Sequence, residues 1–166
     1  MTGSTKQPSQ QTLEMQFHRA ALSFIDFIET TEYLRELRND HSYIAYRAIL
    51  TAAVVSYVRP FSNNGYHPKA SEMATLPRSL TTDERALHEK LLTLRNTVVA
   101  HTDFKALPAK RTGGDQNGWG VSTKEFDIRK AGIDLPTFHA LTQKQIEHTF
   151  DVQTKSNKLL PPIINA

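Results

Sequence analysis

From Thr12 to Arg38 the chain carries neither proline nor glycine. Leu13, Phe17, Ala20, Ala21, Phe24, Phe27, Ile28, Tyr33, Leu34 and Leu37 return at steps of three and four. That spacing is one face of a helix. A long helix with one apolar face cannot stand alone in water, so the rest of the chain must cover it. Asn39-Asp40-His41-Ser42 is a turn signal with N-capping side chains. A second helix is expected from there to about Arg59, with Tyr43, Tyr46, Leu50, Ala53, Val54 and Tyr57 on its face and Pro60 as its stop. Residues 60–81 hold three of the eight prolines, Gly65 and Asn63-Asn64, and read as a loop. Thr81-Thr82-Asp83-Glu84 offers a cap and first-turn acids, so a third helix is expected to begin there. It should run through Leu87, Leu91, Leu94 and Val98 to about His101.

Residues 104–133 contain Pro108 and five glycines, which break any helix. Val121, Thr123, Phe126 and Ile128 suggest one or two short strands within a long loop. Asp134 reads as an N-cap with Pro136 just inside. The last helix then carries Leu135, Phe138, Leu141, Ile146 and Phe150, and Pro161-Pro162 ends it. The expected fold class is all-α: a four-helix antiparallel bundle with a long loop or small β excursion before the last helix. The expected organisation is a disordered tail over 1–10, one helical domain over 11–160 and a C-terminal tail over 161–166.

Composition narrows the function classes. The chain has 166 residues, a 39% hydrophobic content and a net charge of +3, which suits one domain with a real core. A charge this small permits nucleic-acid contact without demanding it. No apolar run approaches the ~20 residues of a membrane span. The polar start lacks the apolar centre of a signal peptide, so a cytoplasmic protein with no membrane association is expected. There is no cysteine, which excludes disulfides and thiolate metal sites. His88 and Glu89 are adjacent and point about 100° apart on a helix, and no His-x-x-x-His pair exists, so neither a metal nor another cofactor is expected. Gly113-Gly114 lacks the Gly-Lys-Ser/Thr ending of a phosphate loop.

The third helix has two faces. Leu87, Leu91, Leu94 and Val98 make the core stripe. His88, Leu92, Arg95, Val99 and Thr102 make a second stripe about 90° away. Two readings stay open here. The second stripe packs against a partner, or Leu92 and Val99 merely widen the core face.

The stretch that carries chemistry is Leu94-Arg95-Asn96-Thr97-Val98-Val99-Ala100-His101-Thr102-Asp103. An Arg that stays protonated can neutralise a phosphate, and an imidazole can move a hydroxyl proton near neutral pH. Arg followed by Asn, then His after five intervening residues, at the end of the third helix of a small helical protein, resembles the HEPN superfamily. The flanks Leu-Arg-Asn and Ala-His-Thr-Asp look like its bacterial members. The resemblance covers the four-helix layout over about 12–155, and its specific part is some ten residues. It implies a metal-independent endoribonuclease, in a toxin or phage-defence setting with an antitoxin partner, working as a homodimer with both motifs in one cleft. Arg95, Asn96 and His101 are then the catalytic set: His101 moves protons, Arg95 stabilises the scissile phosphate and Asn96 positions His101 or the RNA.

Spacing adds a constraint, since Arg95 and His101 lie about 120° and 9 Å apart on an ideal helix. The helix must loosen near Ala100, the Arg side chain must bend, or Arg95 must meet His101 of a second copy. Lys105, Lys110 and Arg111, with Trp119 and Phe126 interleaved, are candidate RNA contacts, as is Arg59. The bland alternatives are a His resting on the helix dipole, an Arg95 paired with Glu84, Glu89 or Asp103, and a Trp119 that plugs the bundle. The competing function class keeps the fold and uses this region to bind RNA, a nucleotide or a protein partner without cleavage.

Overall fold

The computed structural model describes residues 8–62, 75–96, 109–115, 118–123 and 127–162, the two strands by their backbone. Four helices dominate: α1 (Gln10–Glu36), α2 (Tyr43–Val58), α3 (Thr82–Leu94) and α4 (Leu135–Leu159). An antiparallel hairpin of β1 (Ala109–Asp115) and β2 (Gly118–Thr123) lies between α3 and α4 in the chain. Short 3-10 turns occupy Arg59–Phe61 and Ile128–Ala131.

The helix starts follow from local chemistry. Ser9, Ser42, Thr81 and Asp134 each accept a bond from a backbone N–H three residues on. Such a bond satisfies one of the donors a helix start leaves open. At Thr81 the exchange is reciprocal, because the Glu84 carboxylate reaches back to the Thr81 N–H. α1 starts two residues before the expected Thr12, so the expected tail over 1–10 meets the helix at Gln10. α2 stops at Val58 and tightens into the 3-10 turn that Pro60 enters. In the hairpin, Val121 and Thr123 fall on β2 as a strand reading expects, whereas Ile128 is buried in a 3-10 turn. Phe126 lies outside the described residues.

α1 and α2 run antiparallel. Ser56 and Arg59 reach Glu29, Arg59 also reaches Asp26, and Arg19 donates to the Pro60 carbonyl. α3 and α4 run antiparallel too: Lys144 meets Glu84, and Lys90 donates to the Gly132 carbonyl at 2.8 Å. α1 packs chiefly on α4 and α2, while α3 makes fewer contacts with its neighbours. The core between the helices is Phe27, Leu50, Val54, Tyr57, Leu91, Phe138 and Leu141. Each such burial is worth about 1.5–3 kcal/mol. Buried threonines on α1 and α4 are satisfied locally: Thr30, Thr31, Thr142 and Thr149 donate to the carbonyl one turn back.

Two residues of the expected apolar faces stand outside this core. Ile28 is 39% and Phe150 56% exposed. Ile28 drifts to the edge of the α1 stripe because 3.6 residues per turn carry it past the buried sector. Phe150 keeps one contact, to the ring of Phe24 at 6.3 Å. Tyr43, also 39% exposed, is covered by the Arg129 guanidinium 3.9 Å above its ring.

Candidate functional site at the end of the third helix

α3 presents Leu87, Leu91 and Leu94 to the core, as its sequence spacing requires. Of the second stripe, His88 and Leu92 lie against the core, and Val99 and Thr102 lie outside the described residues. Leu92 is partly buried against the cluster of its own chain, and His88 is 4% exposed. The helix sinks far enough between α2 and α4 that residues about 90° round from its centre line lose solvent. His88 is thus turned inward, while Leu92 keeps part of its surface exposed.

Arg95 closes α3. Its backbone N–H is shared between the carbonyls of Leu91 and Leu92, and the winding widens to the π form at Arg95 and Asn96. A π turn within an α-helix changes the angular step between residues and often marks a functional position. The Arg95 guanidinium donates to the Asn96 side-chain oxygen at 3.0 Å. Neither Glu84 nor Glu89 pairs with it, and among the described residues no carboxylate does. Arg95 is partly buried and Asn96 exposed. This end of the described part of α3 therefore carries a positive group with an adjacent exposed amide.

The remaining sequence candidates fall in different places. His101, Asp103 and Lys105 lie outside the described residues. Lys110 and Arg111 belong to β1, opposite Ser122 and Val121 in the register, and their side chains also lie outside the description, as does that of Trp119 on β2. Arg59 is not beside Arg95 in any contact. It bridges Asp26 at 2.5 Å and Glu29 at 3.4 Å across the α1–α2 seam. Burial pushes the Asp26 carboxyl up, against the pull of Arg59. Glu29 is held below its ordinary range, first by the Ser56 hydroxyl at 2.7 Å and also by Tyr33 and Arg59. Two carboxylates thus already neutralise the Arg59 guanidinium.

His88, which spacing placed on the second stripe of α3, belongs to a buried polar group. Its Nδ1 lies 2.9 Å from the Tyr57 hydroxyl, and its ring meets Phe61 edge-on at 4.7 Å and Tyr57 at 5.9 Å. Burial pushes the His88 imidazole down, with Glu89 opposing, and burial pushes the Tyr57 phenol well up. Both groups are therefore neutral, and the tyrosine hydroxyl donates to Nδ1 in the tautomer that carries its hydrogen on Nε2. Gln145 of α4 completes the group: it is fully buried and faces the Tyr57 hydroxyl, yet neither of its amide atoms has a well-formed hydrogen bond among the described residues. Its position on the apolar stripe, one turn after Leu141, was the available sequence signal.

No group of three or more metal-ligating side chains occurs among the described residues. No described helix is long and apolar enough to cross a membrane. No family model, curated protein or solved structure matches the chain.

Proposed function

We propose that the protein is a metal-independent endoribonuclease of the HEPN type. The observation that carries this reading is the Arg95–Asn96 pair. It sits at a π-wound helix end, hydrogen-bonded within itself and with no carboxylate partner among the described residues. An arginine engaged by an amide rather than an acid keeps its full charge for a phosphate.

In the proposed reaction His101 takes the 2′-hydroxyl proton. The oxygen attacks the adjacent phosphorus, the bond to the 5′ oxygen breaks, and that oxygen receives a proton. The products are a 2′,3′-cyclic phosphate and a 5′-hydroxyl. Arg95 stabilises the charge that grows on the non-bridging oxygens. Asn96 holds the guanidinium in place, and a second copy of the chain supplies the second proton-transfer group. The proposed dimer joins at or beside the second stripe of α3, which carries Leu92 and Arg95.

The test is incubation of purified protein with mixed RNA in excess chelator, beside Arg95→Ala and His101→Ala. Chelator-resistant cleavage lost in both variants supports the reading. RNA binding without cleavage supports a binding module on the same fold instead, and neither binding nor cleavage removes RNA as the target.

A further inference from the structure

The described part of α3 is short, and a few side chains seat it against α2 and α4. Its contacts with α2 and α4 are fewer than those α1 makes with the same two helices. What seats it is Leu87, Leu91 and Leu94, the Glu84–Lys144 pair, and the His88 ring wedged between Tyr57 and Phe61. Of these, the His88 wedge joins α3 to α2, and Tyr57 beneath it meets Phe138 of α4 edge-on and faces Gln145.

The hydrogen bonding around that wedge depends on where the imidazole hydrogen sits. The Tyr57 hydroxyl can give its hydrogen to His88 Nδ1 only while Nδ1 holds a free lone pair. The Gln145 amide group can then donate to the Tyr57 oxygen from the other side, which keeps the hydroxyl hydrogen on Nδ1. Among the described residues no carboxylate touches the ring, and the pull of Glu89 is outweighed by burial. From α2 comes the neutral Tyr57, from the 3-10 turn Phe61, from α4 Phe138 and the neutral Gln145, and from α1 Phe27. The charged groups nearby are on α3 and α4. Glu84 is committed to Lys144 and the Thr81 N–H, and Glu89 is exposed and makes no direct contact with His88 among the described residues. A buried charge without a partner is expelled to water rather than tolerated.

We propose that Tyr57, His88 and Gln145 form a proton-sensitive seat for α3: neutral His88 locks the helix against α2 and α4, and proton uptake releases it. The lowered affinity of buried His88 for a proton agrees with this. The released helix is the one that ends in Arg95 and Asn96, so acid acts on that end whatever chemistry it performs. The inference stands apart from the nuclease reading, since it concerns how α3 is held and not what it binds.

The sign follows from linkage. His88 binds protons more readily once α3 opens, so the opening equilibrium rises as pH falls below the ordinary imidazole value. Amide hydrogen exchange on the full chain reads this directly, after correction for the chemical exchange rate. Protection of the α3 amides should fall by up to about tenfold per pH unit below about pH 6.5, while α1 and α4 hold theirs. In His88→Phe the ring still packs, Tyr57 can turn its hydroxyl to the Gln145 carbonyl, and the pH response of α3 should vanish. Parallel loss of protection in all four helices, or a response that survives in His88→Phe, overturns the proposal. Should that variant fail to fold, titration of the His88 ring signals in the wild type decides. A folded-state value below about 6.5 supports the seat, and one at or above it overturns it.

Discussion

Glu84 accepts a hydrogen bond from the Lys144 ammonium at 2.8 Å, and the same carboxylate oxygen accepts the Thr81 backbone N–H at 2.7 Å. One side chain, 5% exposed, thus caps α3 and fastens it to α4. Burial alone would push the Glu84 carboxyl up; Lys144, with the Thr81 amide and hydroxyl, outweighs it, and the net shift is downward.

A carboxyl lowered by folding stabilises above its unfolded value, near 4.5, and loses that contribution as pH falls through the folded value. Lys144→Met removes the cation and leaves burial less opposed, so the Glu84 carboxyl should rise. The variant should be less stable by about 1–3 kcal/mol at neutral pH. The deficit should also shrink as pH falls below about 4.5, because the lowered carboxyl is what gives the wild type its acid-sensitive contribution. Urea midpoints across an acid series measure both effects; equal midpoints at every pH would remove the pair from the account of α3.

Arg59 tests whether a cation near a helix end serves the fold or a ligand. Its side chain is 47% exposed, but Asp26 beneath it is 13% exposed and already disfavoured as an anion by burial. Arg59→Met should cost about 1–2 kcal/mol, chiefly by stranding that carboxylate. RNA affinity and its salt dependence should not change, because the guanidinium charge is spent on Asp26 and Glu29. A shallower salt slope in Arg59→Met would return Arg59 to the RNA-contacting set.

Gly132 ends the 3-10 turn before α4 with φ +62°, the region that side chains adopt at a cost. Its carbonyl accepts from Lys90, and an added Cβ would lie 3.4 Å from that ammonium. Gly132→Ala should therefore destabilise by about 1–2 kcal/mol through backbone strain, with little steric penalty. A melting midpoint unchanged from wild type would show that the turn relaxes freely.

What could be read from the sequence is what neighbours in the chain decide. Ser42, Thr81 with Glu84, and Asp134 with Pro136 announce helix starts because a cap is a bond between residues three apart. The core stripes of α1 and α3 were legible for the same reason. His88 was not. It sits on the second stripe, and only the depth to which α3 sinks between α2 and α4 decides whether that angle is dry. Tyr57 and Gln145 come from two other helices, so the three-residue group exists only after packing. Ile28 and Phe150 err in the opposite direction: apolar residues suggest burial, but the sequence does not say where the neighbouring helix ends its cover. Around the candidate site, the proximity of Arg95 to Asn96 follows from adjacency, and the π widening there does not.

The last prediction separates the chemistry of Arg95 from the packing of its helix. Leu91 is fully buried one turn before Arg95. Leu91→Ala should cost about 2–5 kcal/mol as a cavity in the core. Arg95→Ala removes a guanidinium whose described side-chain bond goes only to its exposed neighbour, so its unfolding midpoint should stay near wild type. If Arg95 grips phosphate, the same substitution should abolish cleavage. Arg95→Lys should restore little of it, because an ammonium keeps the charge but not the planar two-point contact. The activity should persist in chelator, follow the titration of an imidazole, yield 2′,3′-cyclic ends and stop when the 2′-hydroxyl at the cut site is replaced by hydrogen. Efficient cleavage of the 2′-deoxy substrate, or a strict need for a divalent metal, would show that bonds are broken by another route. Full rescue by Arg95→Lys would show that this position supplies charge alone.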